Sequence, residues 1–512
     1  IRSDLHSFRF ETHLIMYKRL RIPLCTLLIG LFLLSWNPVA QAQYSWASEM
    51  REEIRTVLDE HDSGGTWSAL VLNLETRDVM VDYRGDASMI PASTVKVLTS
   101  AAALDLLGPD FRYETVLAST GPVRDGCIQG DLVLHGGGDP SLGKDRATAS
   151  LFSNWAKGLA QSGIDCVTGN VIGDDTRFDA PALGPGWSWD DASYSYSAQH
   201  SALSYHGNVI DIAIGATARE EQPRVRWWPD STSYVTISQQ LERGAAGAAL
   251  SRSYERLPGQ NVIDVEGTIP VGRSTRFKVT VNNPTVFAAY VFNEALQRAG
   301  VRVEGHATSW RVLDAPPTVH DTLASVTSPP LSELVREMNT ESNNLYAEQL
   351  LHTLGAEAHG DSLNAESTRA RGVHLVRSVI SQAGADTGRL RLVDGSGLSR
   401  YNLVSAEALV YVLAYMYAHP NPDVRRAFWQ SFPVGGQNGT LEYRFRRAAA
   451  ARGNVRAKTG TLSNNSSLAG YVTSFEGTPF AFALMANNHV GSTRPLRIIQ
   501  DQIVNILAEY PR

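Results

Sequence analysis

The sequence predicts a mixed α/β (α+β) fold: an antiparallel sheet built from both ends of the chain and flanked by helices, with a large β-rich insertion between the ends. Two strand-like runs precede the helical run that begins at Pro91, and three more precede the final helix. Strands contributed by both ends favour one shared sheet packed on helices. At 512 residues, the chain is also too long for one small core.

The segments are expected in a definite order. A helix over 49–61 is followed by a hairpin over 67–83 and a helix from Pro91. Residues 109–275 have many Gly/Asp turns and few helical patterns, so we assign them to an inserted β-rich region of one or two small domains, nested one in the other. The main domain then comprises 43–108 and 276–512. Its later helices are predicted over 284–300, 330–354, 362–384, 405–418 and 494–509, and its later strands over 455–461, 467–475 and 480–487.

The first 42 residues have the pattern of upstream residues followed by a signal peptide. Met16-Tyr-Lys-Arg-Leu-Arg21 is basic, 22–36 is apolar, and Ala40-Gln-Ala42 offers a cleavage site after about Ala42. This predicts export to the periplasm. An uncleaved anchor is the alternative, but the apolar run is short for a membrane span, so no stable anchor is expected. The remaining chain has no basic run, which argues against nucleic acid and anionic membranes as partners.

Two cysteines remain after the leader. Cys127-Ile-Gln-Gly-Asp-Leu132 and Cys166-Val-Thr-Gly-Asn-Val171 are similar in context, as on neighbouring strands joined by the helix-like stretch 148–162. A disulfide between Cys127 and Cys166 would suit an oxidising compartment. Two buried free thiols are the alternative, and the sequence does not decide between them.

Ser93 and Lys96 have the spacing of a catalytic pair. Pro91 opens a helical run, and residues three apart on a helix share a face, so the Lys96 amine can take the proton of the Ser93 hydroxyl. The helix start also favours a developing oxyanion. An apolar stripe on this helix is expected to face the core: Val95, Leu98, Ala102 and Leu106.

Two further motifs make this pair specific. Ser342-Asn343-Asn344 precedes a helical run, and Lys458-Thr459-Gly460 lies on a predicted strand. The order Ser-x-x-Lys, Ser-x-Asn, Lys-Thr-Gly is typical of penicillin-interacting serine enzymes. Ser463-Asn464-Asn465 also fits the second motif. Ser141-Leu-Gly-Lys144 fits the first, but it lies in a Gly-rich loop that cannot fix the lysine over the serine, and we discard it.

With these motifs the chain resembles the low-molecular-mass class C penicillin-binding proteins, the D-alanyl-D-alanine carboxypeptidases and endopeptidases of the penicillin-binding protein 4 type. The resemblance covers essentially the whole chain after the leader and implies a β-lactamase/transpeptidase-like sheet. One departure is Gly436-Gln-Asn-Gly439, where an aspartate is expected before the last glycine. Other stretches that carry the resemblance are Gly130-Asp-Leu-Val-Leu-His-Gly-Gly-Gly-Asp-Pro140, Trp187-Ser-Trp-Asp-Asp191, Ser328-Pro-Pro-Leu331, Asp394-Gly-Ser-Gly-Leu-Ser-Arg400 and Gly439-Thr-Leu441.

The resemblance implies a serine peptidase acting on an acyl-D-Ala-D-Ala peptide. Ser93 would attack the penultimate carbonyl, with neutral Lys96 as the base. Partial burial and the nearby cation of Lys458 would both lower the pKa of Lys96. Ser342, oriented with Asn344, would relay a proton to the leaving D-alanine.

The remaining motif residues would bind the substrate. Lys458 and Thr459 suit the terminal carboxylate, and Gly460 would let the strand approach the ligand. By resemblance, the N–H groups of Ser93 and Thr461 would form the oxyanion hole. The resemblance also suggests three residues that read the diaminopimelate side chain of the stem peptide, although a structural salt bridge in a turn explains them equally well: Asp191, Tyr196 and Arg400.

The expected partners are peptidoglycan stem peptides as substrates and β-lactams as covalent inhibitors, and a homodimer is left open. No cofactor is implied, and neither H-E-x-x-H nor a Cys/His cluster indicates a metal. A serine β-lactamase is one alternative, which the long insertion opposes. A non-catalytic peptidoglycan-binding protein is another, which the intact motifs oppose. The sequence does not say whether carboxypeptidase or cross-link endopeptidase activity dominates.

Overall fold

The computed structural model describes residues 38–60, 65–144, 148–179, 182–358 and 366–510. The chain divides into two units between Glu49 and Met50. Of the first unit only the start of a helix, 38–49, is described, so residues 1–37 of the predicted leader lie outside the described residues. In the described ranges, no helix has both the length and the apolar character needed to cross a bilayer.

The described strands, in chain order, are β1 (Thr66–Asn73), β2 (Val79–Tyr83), β3 (Glu114–Ser119), β4 (Val123–Arg124), β5 (Cys127–Ile128), β6 (Leu132–His135), β7 (Cys166–Val167), β8 (Val171–Asp174), β9 (Val209–Gly215), β10 (Arg224–Trp228), β11 (Thr236–Gly244), β12 (Ser253–Arg256), β13 (Val262–Pro270), β14 (Ser274–Thr280), β15 (Arg302–Val303), β16 (Ala307–Ser309), β17 (Asp321–Thr327), β18 (Arg456–Leu462), β19 (Asn465–Thr473) and β20 (Pro479–Asn487). The α-helices are α1 (Pro38–Glu60), α2 (Val95–Leu107), α3 (Leu151–Gln161), α4 (Pro284–Arg298), α5 (Leu331–Glu341), α6 (Asn344–Glu357), α7 (Thr368–Gln382), α8 (Ala406–Tyr417), α9 (Pro422–Ser431) and α10 (Arg494–Glu509).

The main sheet joins the two ends of the second unit. Its five strands lie in the order β18-β19-β20-β1-β2, and every neighbouring pair is antiparallel. All nine residues of β20 are buried. Because successive side chains of a strand point to opposite faces, both faces of this strand are covered. Helices α8 and α10 both pack on the sheet. The predicted fold class, with one antiparallel sheet shared by the two ends and flanked by helices, is confirmed.

Helix α2 lies at the centre of the helical layer. It contacts each of α5 to α9, and every residue from Val95 to Leu104 is buried. The predicted one-sided apolar stripe is therefore wrong. Leu106, which was placed on it, is 45% exposed, whereas the polar residues Thr99 and Ser100 are buried. A helix surrounded by other helices must be apolar or internally satisfied on every side.

The helical stretch predicted over 330–354 consists of two helices. The chain breaks at Ser342, which has left-handed backbone angles (φ 60°, ψ 40°). Asn343 then caps α6, with its side chain accepting a hydrogen bond from the backbone N–H of Tyr346. This break turns the Ser342 side chain out of the helical layer. A continuous helix would not place the side chain there. Helix α9 was not predicted.

Helix α10 packs on the sheet as expected. Its regularly spaced apolar residues are all buried, and Gln500 donates a hydrogen bond to Ser466 of β19 at 3.3 Å. The buried apolar residues are Leu496, Ile499, Ile503 and Ile506.

A second core lies in the inserted region. Strands β16-β8-β6-β3-β17 form a mixed sheet, and helix α4 packs on β8 and β16. The sheets β10-β9-β14 and β11-β13-β12 lie within the same stretch of chain. The predicted division into 43–108, 276–512 and 109–275 stays a prediction. Because α4, β16 and β17 pack with the second core, these contacts favour a boundary after Thr327 instead of one at 275.

The two cysteines face each other across parallel strands. β5 pairs with β7, with Cys127 opposite Cys166 and their Cα atoms 4.5 Å apart. The structure joins their sulfur atoms in a disulfide. Helix α3 connects the two strands, as the similar sequence contexts predict.

Candidate active site

Ser93 lies in a single 3-10 turn, Ala92–Thr94, that leads directly into α2. Three hydrogen bonds fix the backbone before it. The amide of Asn487, at the end of β20, accepts from the N–H of Ile90 at 2.7 Å and donates to its carbonyl at 3.0 Å. Ser467 of β19 donates to the carbonyl of Pro91 at 2.6 Å. The half-buried serine is therefore held against the sheet by residues from the far end of the chain.

Lys96 is fully buried one turn into the helix, and its amine has three partners. Nζ lies 3.0 Å from Ser93 Oγ, 2.6 Å from Asn344 Oδ1 and 2.6 Å from the carbonyl oxygen of Ser396. The amide of Asn344 is oriented by its Nδ2, which donates to the backbone carbonyl of Tyr196 at 2.7 Å. Two of the three partners can only accept, whereas the serine hydroxyl can donate. A neutral amine, with two N–H groups and one lone pair, satisfies this set.

Burial lowers the pKa of Lys96 to about 7, and the carboxyl groups of Asp394 and Glu348 oppose this shift. The lowered pKa of Lys96 agrees with the sequence-based expectation. The cause of the lowering, however, is complete burial, since the neighbouring charges that act on Lys96 are acidic. Burial and the positive charge of Lys96 together hold the pKa of Lys458 well below its usual range. The neutral form of Lys96 is thus accessible near neutral pH.

Lys458 and Ser342 form a second pair. Lys458 Nζ, on β18, donates to Ser342 Oγ at 2.8 Å and to the carbonyl of Thr459 at 2.9 Å. The left-handed turn at Ser342 brings its hydroxyl to this amine. Lys458 is fully buried and Thr459 is half-buried. The strand lysine therefore contacts the hydroxyl of the middle motif.

Two glycines allow the close approach of segments to the serine turn. A Cβ on Gly460 would lie 2.6 Å from the carbonyl oxygen of Pro91 and 3.1 Å from the backbone nitrogen of Ser93. Gly397 has φ +79°, and a Cβ there would collide with the carbonyl of Ala92. Any side chain at either position would push the strand or the loop away from Ser93.

Ser93 opens into a cleft of about 390 Å³, called here the first cleft. The residues proposed to read a diaminopimelate side chain all line it. Tyr196 Oη donates to Asp191 at 2.6 Å. Arg400 donates to the Ser463 carbonyl at 3.1 Å, and it makes no salt bridge with Asp191. The lining is Ser93, Gly186, Ser188, Asp191, Tyr196, Ser342, Asn344, Gly397, Leu398, Arg400, Thr461, Leu462 and Ser463.

Sequence reasoning missed a buried carboxylate behind the site. Glu348 lies four residues after Asn344 on α6 and is fully buried. It accepts from the backbone N–H groups of Gly395 at 3.1 Å and Ser396 at 2.9 Å. Burial and the charge of Asp394 raise its pKa. Glu348 thereby holds the loop whose Ser396 carbonyl accepts from Lys96. Its only sequence signal is a charged residue on an otherwise buried helix.

The discarded Ser-x-x-Lys copy has no catalytic geometry. Lys144 Nζ lies 3.1 Å from Glu337 and over the ring of Tyr346, and Ser141 Oγ donates to Asp139 at 2.7 Å. The side chains of Ser141 and Lys144 are not hydrogen-bonded to each other. The loop therefore has the residue types of the motif but not the serine–lysine contact that catalysis requires.

A half-buried serine, a buried amine that can take its proton and a second lysine-serine pair beside a sheet edge together form a site for acyl transfer through a serine. The fold and the site thus define a penicillin-interacting serine hydrolase.

Comparison with known proteins gives the family. The family described as D-Ala-D-Ala carboxypeptidase 3 (S13) matches residues 50–510. The chain is 36% identical over 503 residues to the D-alanyl-D-alanine carboxypeptidase of Actinomadura sp. (strain R39), covering 94% of this chain and 89% of that protein. The chain belongs to the D-Ala-D-Ala carboxypeptidase 3 (S13) family.

The fold is likewise similar to solved structures. The crystal structure of penicillin binding protein 4 from Haemophilus influenzae matches with a TM-score of 0.76 and 26% identity, covering 89% of this chain and 99% of that chain. The same protein in complex with a β-lactam matches with a TM-score of 0.68 and 24% identity over the same shares. The resemblance to the penicillin-binding protein 4 type, the fold class and the assignment as a hydrolase are confirmed.

Proposed function

We propose that this protein is a serine DD-peptidase that forms an acyl-enzyme on Ser93. Its substrates are the terminal D-Ala-D-Ala bond of peptidoglycan stem peptides, D-Ala-diaminopimelate cross-links, or both. The observation that carries the proposal is the amine of Lys96, fully buried and 3.0 Å from Ser93 Oγ, with acceptor-only groups at its two other contacts. In neutral Lys96, whose two N–H groups are taken by these acceptors, the lone pair is left for the serine hydroxyl, which supports its role as the base.

In the first step, neutral Lys96 takes the proton of Ser93 as Oγ attacks the penultimate carbonyl carbon. The carbonyl oxygen becomes an oxyanion, for which the N–H groups of Ser93 and Thr461 are the proposed donors. The contacts of Gly460 with the serine turn support this, since they hold β18 beside Ser93. Collapse of the intermediate breaks the C–N bond and leaves the acyl group on Ser93.

The leaving amine needs a proton, and Ser342 is the group proposed to deliver it. Its hydroxyl is bonded to Lys458 Nζ at 2.8 Å, so the lysine can replace the proton that the serine gives away. Lys458 and Thr459 are also proposed to hold the terminal carboxylate. The proton that Lys96 took from Ser93 then passes to Lys458, which has given one up, so that Lys96 is neutral again. Water attacks the acyl-enzyme with Lys96 as the base, and Lys96 returns this proton to Ser93 Oγ as the shortened peptide leaves.

Specificity for the stem peptide is assigned to the first cleft. Asp191 and Arg400 place an acidic and a basic group in the same cleft as Ser93, which suits the amine and carboxylate at the end of diaminopimelate. A β-lactam resembles the D-Ala-D-Ala unit, so it should acylate the same serine. The Haemophilus influenzae protein that shares this fold has been crystallised with a β-lactam.

We also place the protein in the periplasm, with the leader cleaved after about Ala42. The basic and apolar segments of 16–36 support this placement, and a cell-wall substrate requires it. Export would also give the oxidising compartment in which a disulfide between Cys127 and Cys166 persists.

Intact-mass spectrometry after incubation with penicillin tests the nucleophile. One covalent adduct is expected on the wild-type protein and none on Ser93→Ala, because Ser93 is the proposed nucleophile and Ser342 is proposed only to relay a proton. Ser141→Ala is the matched control, since it removes the serine of the other Ser-x-x-Lys copy and should keep the adduct. An adduct that persists on Ser93→Ala would refute the assignment. Rapid turnover of penicillin would instead favour the β-lactamase alternative.

A further inference from the structure

A second cleft, of about 560 Å³, begins where the first one ends. It shares Tyr196, Ser342 and Asn344 with the first cleft, but neither Ser93 nor Thr461 lines it. The two clefts therefore meet at the segment Ser342–Asn344. The lining of the second cleft is Lys144, Ser195, Tyr196, His206, Gly207, Val209, Lys278, Glu337, Glu341, Ser342, Asn343, Asn344 and Leu345.

The position of Ser342 assigns the two clefts to the two sides of the cleaved bond. In the proposed reaction the acyl carbon is bonded to Ser93, and the leaving nitrogen takes its proton from Ser342. The acyl side of the substrate then occupies the first cleft, which contains the nucleophile. Atoms beyond the leaving nitrogen extend from Ser342, where the second cleft starts. A single leaving D-alanine ends there, whereas the leaving half of a cross-link continues as a second stem peptide.

The charges of the second cleft match such a peptide. Lys278 is exposed, and its Nζ lies 3.6 Å from Asp211, a longer and weaker contact than a close ion pair. Lys144, which is paired with Glu337, supplies a second cation, and Glu341 supplies an exposed acid. A peptide with free carboxylates and an amine would find complementary groups here. The mostly polar lining does not suit an apolar ligand.

We propose that the second cleft binds the leaving stem peptide of a cross-linked substrate, with Lys278 contacting one of its carboxylates. This rests on the proposed DD-peptidase function and deepens it, since it locates the surface that the leaving half of a cross-link would occupy. The second core thereby contributes to specificity, since Val209 and Lys278 lie on β9 and β14, two strands that pack in it.

The test compares two substrates, a monomeric pentapeptide and a cross-linked muropeptide dimer, using the full protein and Lys278→Ala. For the dimer, kcat/KM should fall about fivefold through a higher KM, because the lost contact is an exposed ion pair. For the pentapeptide, kcat/KM and the rate of penicillin acylation should stay within about twofold. High salt should raise the KM of the wild-type protein for the dimer and have little effect on the variant. Lys157→Ala removes an exposed lysine on α3 and serves as the matched control.

Each outcome has a defined meaning. Unchanged dimer cleavage in Lys278→Ala, or an equal loss on both substrates, would overturn the inference. So would a wild-type protein that releases D-alanine from the pentapeptide but never cuts the dimer, and in that case the DD-peptidase function would stand. A wild-type protein that acts on neither substrate and takes up no penicillin would refute the proposed function itself.

Discussion

At the scale of single residues, the site depends on one lysine being neutral. Lys96 has no solvent contact, and in its neutral form two N–H groups are used by Asn344 and Ser396, which leaves the lone pair for the serine hydroxyl. The spacing of Ser93 and Lys96 was enough to predict their contact, because three residues span almost one helical turn. Their motif does not reveal that the lysine is completely buried, which depends on five surrounding helices from distant parts of the chain.

The pH dependence of acylation follows from this burial. Protonated Lys96 cannot accept a proton, so the second-order rate of penicillin acylation should fall as the pH drops below about 7, roughly tenfold per pH unit. Above that value the rate should approach a plateau. Stopped-flow measurements between pH 5 and 8.5 check this, with circular dichroism at each pH to exclude unfolding. A rate that stays flat across this range would show that Lys96 is not the titrating base.

At the scale of secondary structure, helix α6 carries two supports for Lys96. Asn344, in its first turn, accepts a hydrogen bond directly from the Lys96 amine. Glu348, one turn later, orients the loop whose Ser396 carbonyl also accepts from that amine. The spacing of four residues puts both side chains on one face of the helix. Glu348 acts through that loop, which makes it a positioning residue.

Replacement of Glu348 tests this support. Glu348→Ala leaves the N–H groups of Gly395 and Ser396 without their buried acceptor, and should slow penicillin acylation by about tenfold or more. Glu348→Gln keeps an acceptor oxygen and should recover most of the rate. If the alanine variant is folded and acylates at the wild-type rate, the positioning role is wrong.

Most elements near the site could be predicted, and the exceptions have physical reasons. The terminal strands follow alternation and turn residues, so β1, β2 and β18 to β20 were predicted within about two residues. The break at Ser342 was missed because 330–354 is helical in pattern on both sides of it. A left-handed serine gives no periodic signal. Glu348 was missed because a buried acid is recognised only from the N–H groups it meets.

At the scale of the whole molecule, the chain builds two cores. The main sheet and α2 lie in one, and the mixed sheet with α3 and α4 lies in the other. The disulfide between Cys127 and Cys166 belongs to the second core, while Ser93, Lys96 and Lys458 belong to the first. Tyr196 connects them, since its backbone carbonyl orients Asn344.

Loss of the disulfide should therefore weaken the second core more than the chemistry. The bond closes a loop with a sequence separation of 39, and the chain-entropy model gives it about 4 kcal/mol. The double replacement Cys127→Ala and Cys166→Ala should lower the free energy of unfolding by up to that amount and leave penicillin acylation at 25 °C nearly unchanged. Titration of the denatured, unreduced protein without its leader should find no free thiol. Two thiols per chain would contradict the bridge.

The shared sheet also determines when activity can arise during synthesis. Ile90 is held by Asn487, 397 positions later, and β1 is hydrogen-bonded to β20 along its whole length. Until the ribosome has made nearly the entire polypeptide, β1 has no partner on one side and the turn carrying Ser93 has no support. Contacts so distant in sequence form late in folding. A prematurely terminated product would therefore carry the nucleophile without a competent hydrolase, so only a finished polypeptide would be able to cut the wall.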